Sequence, residues 1–154
     1  MEHLQQTISI AAPISSVFHF HNNTDNLLKI TPPNVRVSIE TRGEPGLGYE
    51  VTLKVRQFGV FSTRWHVKIT EYEEPTRMVD VQIKGPFRYW KQTRIFSQTE
   101  TGTNLTDIVQ WESPLGILGR IADAVVVRKL IANMFRYRQQ ATKRLLESET
   151  LHNA

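Results

Sequence analysis

VRKLIANMFRYRQQATKRLLE, residues 127–147, decides how the rest of the chain must fold. Placed on a helix at about 100° per residue, Val127, Ile131, Met134, Arg138, Ala141 and Leu145 fall in one narrow arc. Leu130, Phe135 and Tyr137 flank that arc. Lys129, Asn133, Arg136, Gln140, Lys143 and Glu147 lie opposite. No Gly or Pro interrupts the run after Gly119. The pattern predicts a long amphipathic helix with one buried face. At ~1.5 Å per residue, residues 116–147 would span roughly 48 Å. A helix of that length needs an apolar surface to lie on. Each large apolar side chain it buries contributes about 1.5–3 kcal/mol.

Just upstream, Leu118, Ile121, Ala122 and Val125 point away from the Val127 stripe. The apolar face therefore switches sides across Ala124-Val125-Val126-Val127. The helix bends there, or its first turns cover a different surface, or the first segment is buried on all sides.

The bulk properties set outer limits. The chain has 154 residues, 40% of them hydrophobic, which suits one globular domain. Residues 1–150 are assigned to that domain and residues 151–154 to a frayed tail. No apolar stretch approaches the ~20 residues of a membrane-spanning helix. Met1-Glu2-His3 opens no charged-then-apolar leader, which predicts a cytoplasmic protein. The chain contains no Cys, which excludes disulfides, thiolate metal sites and a Cys nucleophile. The net charge is +4. Much of it sits in the terminal helix, where Arg120, Arg128, Lys129, Arg136, Arg138, Lys143 and Arg144 face Asp123, Glu147 and Glu149. Such a face is either a solvated helix surface or one that meets nucleic acid or a membrane. No aromatic stacking platform or nucleic-acid motif accompanies it, so no specific nucleic-acid partner is expected.

Ahead of the helix the hydrophobic period changes twice. His3 to Ala11 reads as a strand. Pro13 then suits the first turn of a helix carrying Ile14, Val17, Phe18 and His21. Thr24 is placed to cap a second, short helix that Thr31-Pro32-Pro33 ends. From Asn34 the period is two. Val35, Val37 and Ile39 form one strand; Tyr49, Val51, Leu53 and Val55 the next; Phe61, Thr63, Trp65, Val67 and Ile69 the next. Val79, Val81 and Ile83 supply a further apolar face, residues 87–98 another strand, and Leu105, Asp107, Val109 and Trp111 the last. Hairpin-length turns join them, so the sheet is antiparallel with one wet face. The fold class is α+β: a curved seven-stranded antiparallel sheet in the order β-α-α-β6-α, wrapped around the C-terminal helix.

That order resembles the helix-grip fold of the START-like superfamily, also called SRPBCC. Local pieces are similar to its bacterial polyketide cyclase/dehydrase-like members. They are Ala12-Pro13-Ile14-Ser15-Ser16-Val17-Phe18, Asn26-Leu27 with Thr31-Pro32-Pro33, residues 85–90 (GPFRYW), Thr106-Asp107 with Trp111, and Pro114-Leu115-Gly116. The resemblance spans nearly the whole chain. It implies a cavity between sheet and helix, and members that bind or transform different apolar ligands.

On that resemblance Trp90, Gln92, Arg94 and Phe96 point inward on the next-to-last strand. Gln92 and Arg94 stand where relatives often carry His, so imidazole chemistry is not carried over from them. Asp107 shares its face with Leu105, Val109 and Trp111, where a carboxylate is costly unless paired. A register that sets Arg94 opposite Asp107 also sets Trp90 opposite Trp111 and Gln92 opposite Val109. The Arg94–Asp107 pair is either a polar anchor for a ligand or a structural ion pair. Tyr49, Trp65, Trp90 and Trp111 either line the cavity or fill the core. Arg138 interrupts the helix stripe between Met134 and Ala141; it either snorkels past the sheet edge or faces the cavity as a second anchor. The expected ligand-binding set is Tyr49, Trp65, Trp90, Gln92, Arg94, Asp107, Trp111, Met134 and Arg138.

His3, His19, His21, His66 and His152 show no metal spacing, and no phosphate loop or nucleophile elbow appears. No metal or cofactor is expected. The leading function is binding of a hydrophobic or amphipathic small molecule, such as a lipid, polyketide or quinone, for transport, sequestration or sensing. Residues 118–125 and the Pro32-Pro33 loop would border the entrance. One alternative is a cyclase or dehydratase using Arg94 and Asp107. Another is an interaction module, through peripheral membrane contact or RNA, on the basic helix face of Arg136, Lys143 and Arg144.

Overall fold

Alternating apolar and polar side chains fold the middle of the chain into strands. The computed structural model describes residues 1–57, 61–113 and 123–153 and gathers those strands into one sheet. β1 (Glu2–Ile10) is followed by α1 (Ile14–Asn22) and α2 (Asn26–Lys29). Then come β2 (Val35–Arg42), β3 (Glu50–Gln57), β4 (Phe61–Glu73), β5 (Arg77–Lys84), β6 (Tyr89–Gln98) and β7 (Thr103–Glu112). A π-helical turn (Asp123–Val127) leads into α3 (Arg128–His152). The seven strands are antiparallel in the order β1-β7-β6-β5-β4-β3-β2. The sheet is open, with β1 and β2 as its edges.

The register foreseen for the last hairpin is present: Arg94 faces Asp107, Trp90 faces Trp111, and Gln92 faces Val109. β7 alternates cleanly, with Thr103, Leu105, Asp107, Val109 and Trp111 all buried. β5 departs from the sequence reading. Its apolar set, Val79, Val81 and Ile83, is not the cavity face. Met78 and Asp80 pair with Arg94 and Gln92 and therefore share their inward face. Register shifts between β4 and β5 accompany this inversion.

The helix face is also rotated from the expected arc. The buried residues of α3 are Ile131, Phe135, Gln139, Ala141, Thr142 and Leu146. Gln139 and Thr142 are polar yet buried, which moves the seam toward Phe135 and leaves Leu130 exposed. The helix runs from Arg128 to His152. The π-turn falls at the foreseen switch of apolar face. Residues 114–122, which hold the upstream half of that switch and the helix start expected at Gly116, lie outside the described residues.

α3 packs along β1 and hydrogen-bonds three of its backbone carbonyls. Gln139 Nε2 donates to the Gln6 carbonyl at 3.0 Å, and Lys143 Nζ to the Ser9 carbonyl at 2.8 Å. Arg128 reaches the His3 carbonyl at 2.8 Å, and Gln6 Nε2 returns a bond to the Ala132 carbonyl at 3.0 Å. The β6–β7 turn is equally tight. Gly102 has φ +156°, and a Cβ there would collide with the Ile10 carbonyl oxygen.

Two apolar clusters result. One joins α1, the walls of β3 and β4, Phe96, Leu105 and Leu146. The other joins Trp90, Val109 and Trp111 to Ile131 and Phe135 of α3. Trp65 packs against both. Where they fail to meet, a hollow remains.

Candidate ligand cavity

The hollow has a volume of about 130 Å³ and lies between the sheet, α1–α2 and α3. Its broad wall is aliphatic because β2, β3 and β4 present every second residue inward: Val35 and Val37, then Val51, Leu53 and Val55, then Val67 and Ile69. Trp65, Trp90, Tyr49 and Met134 add larger surfaces. The volume is close to that of the ~150 Å³ engineered apolar cavity that accepts benzene.

One end is charged. Asp80, Gln92 and Arg94 come from β5 and β6, His21 from the last turn of α1, and Arg138 from α3. A second void of about 20 Å³ adjoins this end, where Asp107, Gln139 and Thr142 join His21, Arg94 and Arg138 on the wall. That is room for one water-sized group.

The partners within the charged end are unequal. Asp107 accepts from Gln92 Nε2 at 3.1 Å through one oxygen and from Gln139 Nε2 at 2.9 Å through the other. Arg94 sits between two carboxylates, 3.8 Å from Asp107 and 3.9 Å from Asp80. Burial raises the Asp80 carboxyl above its ordinary range, and Arg94 and Arg138 only partly offset this. His21 Nδ1 donates to the Val17 carbonyl at 2.8 Å, which leaves Nε2 as the ring's acceptor. Burial, then the Arg94 cation, draws His21 down to about 4, so its ring is neutral at pH 7.

Arg138 differs from all of these. Its guanidinium lies 5.3 Å from the centre of the Phe135 ring. The guanidinium makes no hydrogen bond or ion pair among the described residues, and its Nε is buried without a partner. Burial, then repulsion from Arg94, lowers it to about 10, so it stays a cation at neutral pH.

Of the nine residues expected to bind ligand, seven stand on the cavity wall: Tyr49, Trp65, Trp90, Gln92, Arg94, Met134 and Arg138. Tyr49 is held by its hydroxyl, 2.6 Å from Thr24 Oγ1. Asp107 stands behind the wall, on the small void. Trp111 lies on neither; it is completely buried in the cluster under α3. Its position opposite Trp90 put it on the right face, but α3 packs over that end of the strand. Pro32 and Pro33, expected at the entrance, line a separate groove on the β2 edge, and residues 118–122 of the other expected border lie outside the described residues.

His21 and Asp80 were not singled out from sequence. In the sequence His21 belongs to an apolar stripe and to a set of histidines without metal spacing, and neither pattern marks it as a cavity residue. The alternation of β5 alone puts Asp80 opposite the face of Val79 and Val81; the pairing of β5 with β6 places it beside Gln92, on the inward face. On the basic side of α3, Lys143 is held by Glu147 at 2.6 Å and Arg128 by Glu2 at 3.4 Å. Arg136 and Arg144 are exposed. Among the described residues, no group of three or more His, Asp or Glu is placed to hold a metal ion. None of the described helices is long and apolar enough to cross a membrane.

A family profile described as polyketide cyclase / dehydrase and lipid transport matches residues 1–147. The chain belongs to this family. Its fold recurs in protein CV1439 from Chromobacterium violaceum, at 11% identity over 96% of this chain and 99% of that one, with a TM-score of 0.76. A START superfamily protein from Mycobacterium smegmatis matches at 17% identity over 95% of this chain and 97% of the other, with a TM-score of 0.73. The di-domain ARO/CYC StfQ of the steffimycin biosynthetic pathway matches at 15% identity, with a TM-score of 0.77, over 96% of this chain and 52% of that one. No curated protein matches by sequence. At these identities the structural matches establish the fold. The family description points to hydrophobic ligand binding or polyketide cyclase-like activity.

Proposed function

We propose that this is a cytoplasmic protein that binds a hydrophobic or amphipathic small molecule, such as a lipid, polyketide or quinone, for transport, sequestration or sensing. The ligand lies between the sheet and α3, in contact with Tyr49, Trp65, Trp90, Gln92, Arg94, Met134 and Arg138. The observation that carries this reading is the cavity itself: about 130 Å³, aliphatic along β2–β4 and polar at one end. Such sites hold a ligand by apolar contact and orient it with a few polar groups. The volume takes one ring or a short chain. A longer molecule places only its end there, and the remainder leaves between the walls. Solvent extraction of the purified protein followed by mass spectrometry tests the reading. It is supported by a stoichiometric hydrophobic molecule. It is contradicted by empty protein whose melting temperature no lipophilic compound raises.

Asp80 and His21 favour a second reading, cyclase or dehydratase chemistry on a polyketide-like chain. A carboxyl with a raised pKa and a neutral imidazole, both on the wall, are suited to proton transfer. Asp107, with both oxygens held by amides, serves there as a positioning group rather than as the acid or base. Under this reading Asp80→Asn removes turnover and spares binding. Turnover that survives Asp80→Asn in a folded protein rejects it.

A further inference from the structure

Among the described residues, every charged group at the polar end of the cavity except Arg138 has a hydrogen-bond or ion-pair partner. Asp107 has two amide donors, and Arg94 has two carboxylates within 4 Å. Arg138 has none among the described residues, although it stands on the walls of both the main cavity and the small void. Its Nε is buried without a hydrogen-bond partner, and the desolvation of the guanidinium outweighs the attraction it receives from Asp107 and Asp80. The Phe135 ring holds the guanidinium in place but does not neutralise it.

We infer that the ligand is a hydrophobic monocarboxylate whose carboxylate pairs with the Arg138 guanidinium while its apolar body lies against β2–β4. The inference rests on the binding reading above and narrows its ligand class. Three features select the chemistry. The planar guanidinium fork matches a planar carboxylate with two parallel hydrogen bonds. The void beside Arg138 holds about 20 Å³, room for a water-sized group and not for a bulky head, so the carboxylate lies at the polar end of the main cavity, which Arg138 also lines. Asp80 and Asp107 stand at the same end and repel any added negative charge, so a singly charged carboxylate meets less repulsion there than a doubly charged phosphate.

The test measures dissociation constants for octanoate and 4-phenylbutyrate beside their uncharged amides, octanamide and 4-phenylbutyramide. Titration calorimetry is run on wild type, Arg138→Gln and Arg138→Lys, each verified as folded by near-ultraviolet circular dichroism. Wild type should prefer each acid over its amide by roughly tenfold or more, the range of a charge-assisted hydrogen bond. Arg138→Gln should bring acid and amide within about threefold of each other. Arg138→Lys should keep part of the preference. Equal binding of acid and amide to wild type overturns the inference and leaves the binding reading standing. Failure of all four probes to bind overturns the inference, while the extraction and melting experiments decide the binding reading separately. A preference that persists in folded Arg138→Gln, or that Arg138→Lys abolishes entirely, rejects the Arg138 anchor. Should Arg138→Gln fail to fold, the wild-type ratio and the Lys variant still decide.

Discussion

Gln139 on α3 donates to the Asp107 carboxylate on β7 at 2.9 Å, and this bond fixes the helix to the sheet from behind the cavity. The same Nε2 also donates to the Gln6 carbonyl of β1 at 3.0 Å. One amide thus ties α3 to two adjacent strands. Gln92 completes the carboxylate's coordination from β6. The separation of α3 from the sheet, and so the shape of the hollow, depends on this buried polar joint.

Asp107→Ala should therefore be severe. It leaves two buried amide donors and one face of Arg94 without their acceptor. The expected loss is about 3 kcal/mol or more, as for breaking a buried charged network from one side. Urea denaturation measures it. A loss under about 1 kcal/mol would show that the joint does not hold the helix.

Asp80→Asn should behave in the opposite way, although both residues are buried carboxylates near Arg94. Burial raises the Asp80 pKa, so its ionised form weakens the fold as pH rises above the ordinary carboxylate value. Removing that charge at neutral pH should leave stability unchanged or slightly improved. The same urea titrations compare the two variants. A destabilisation equal to that of Asp107→Ala would contradict the distinction drawn between them.

His21 sets an acid limit. Its folded pKa, about 4, lies below the unfolded value of 6.5. The unfolded chain takes up the proton first, so stability is full above pH 6.5 and declines as pH falls toward 4. The loss from this group is roughly 3 kcal/mol. Arg94 and Arg138 add to it by repelling an imidazolium, and Asp107 opposes them. In His21→Asn, stability should depend less on pH across this interval. Identical pH profiles for wild type and variant would reject the assignment.

On the outer face, Arg36 of β2 lies directly opposite Arg56 of β3. Like charges in that position repel. Arg56→Glu should raise the melting temperature in low salt, and the gain should shrink in high salt as the attraction is screened. A lower melting temperature in low salt would show that Arg56 has a stabilising role that this pairing does not describe.

The reach of the sequence varied with the physics of each element. The last hairpin was legible because a lone carboxylate among Leu105, Val109 and Trp111 demanded a partner, and one register supplied it. The terminal helix was legible as a helix but not in its orientation. An apolar stripe marks where greasy side chains lie, and it cannot register that Gln139 and Thr142 are buried because Asp107 and a helix carbonyl satisfy them. β5 misled for a similar reason. Val79, Val81 and Ile83 are the apolar set, yet the pairing with β6 and the register shifts against β4 turn Met78 and Asp80 inward. Polar residues at a ligand site are where periodicity is a poor guide, because their burial is stabilised by specific partners rather than by hydrophobicity.

The central claim is that a hydrophobic molecule enters the space between α3 and the sheet. Nitrogen–proton correlation spectra tracking the three tryptophan indoles during a titration with 4-phenylbutyrate test it most directly. Trp65 and Trp90 stand on the cavity wall, and Trp111 is packed away from it. The indole signals of Trp65 and Trp90 should move together and saturate, with Trp111 changing least. Saturable binding that leaves Trp65 and Trp90 unmoved, or changes confined to the outer face of β2–β4, would contradict the account.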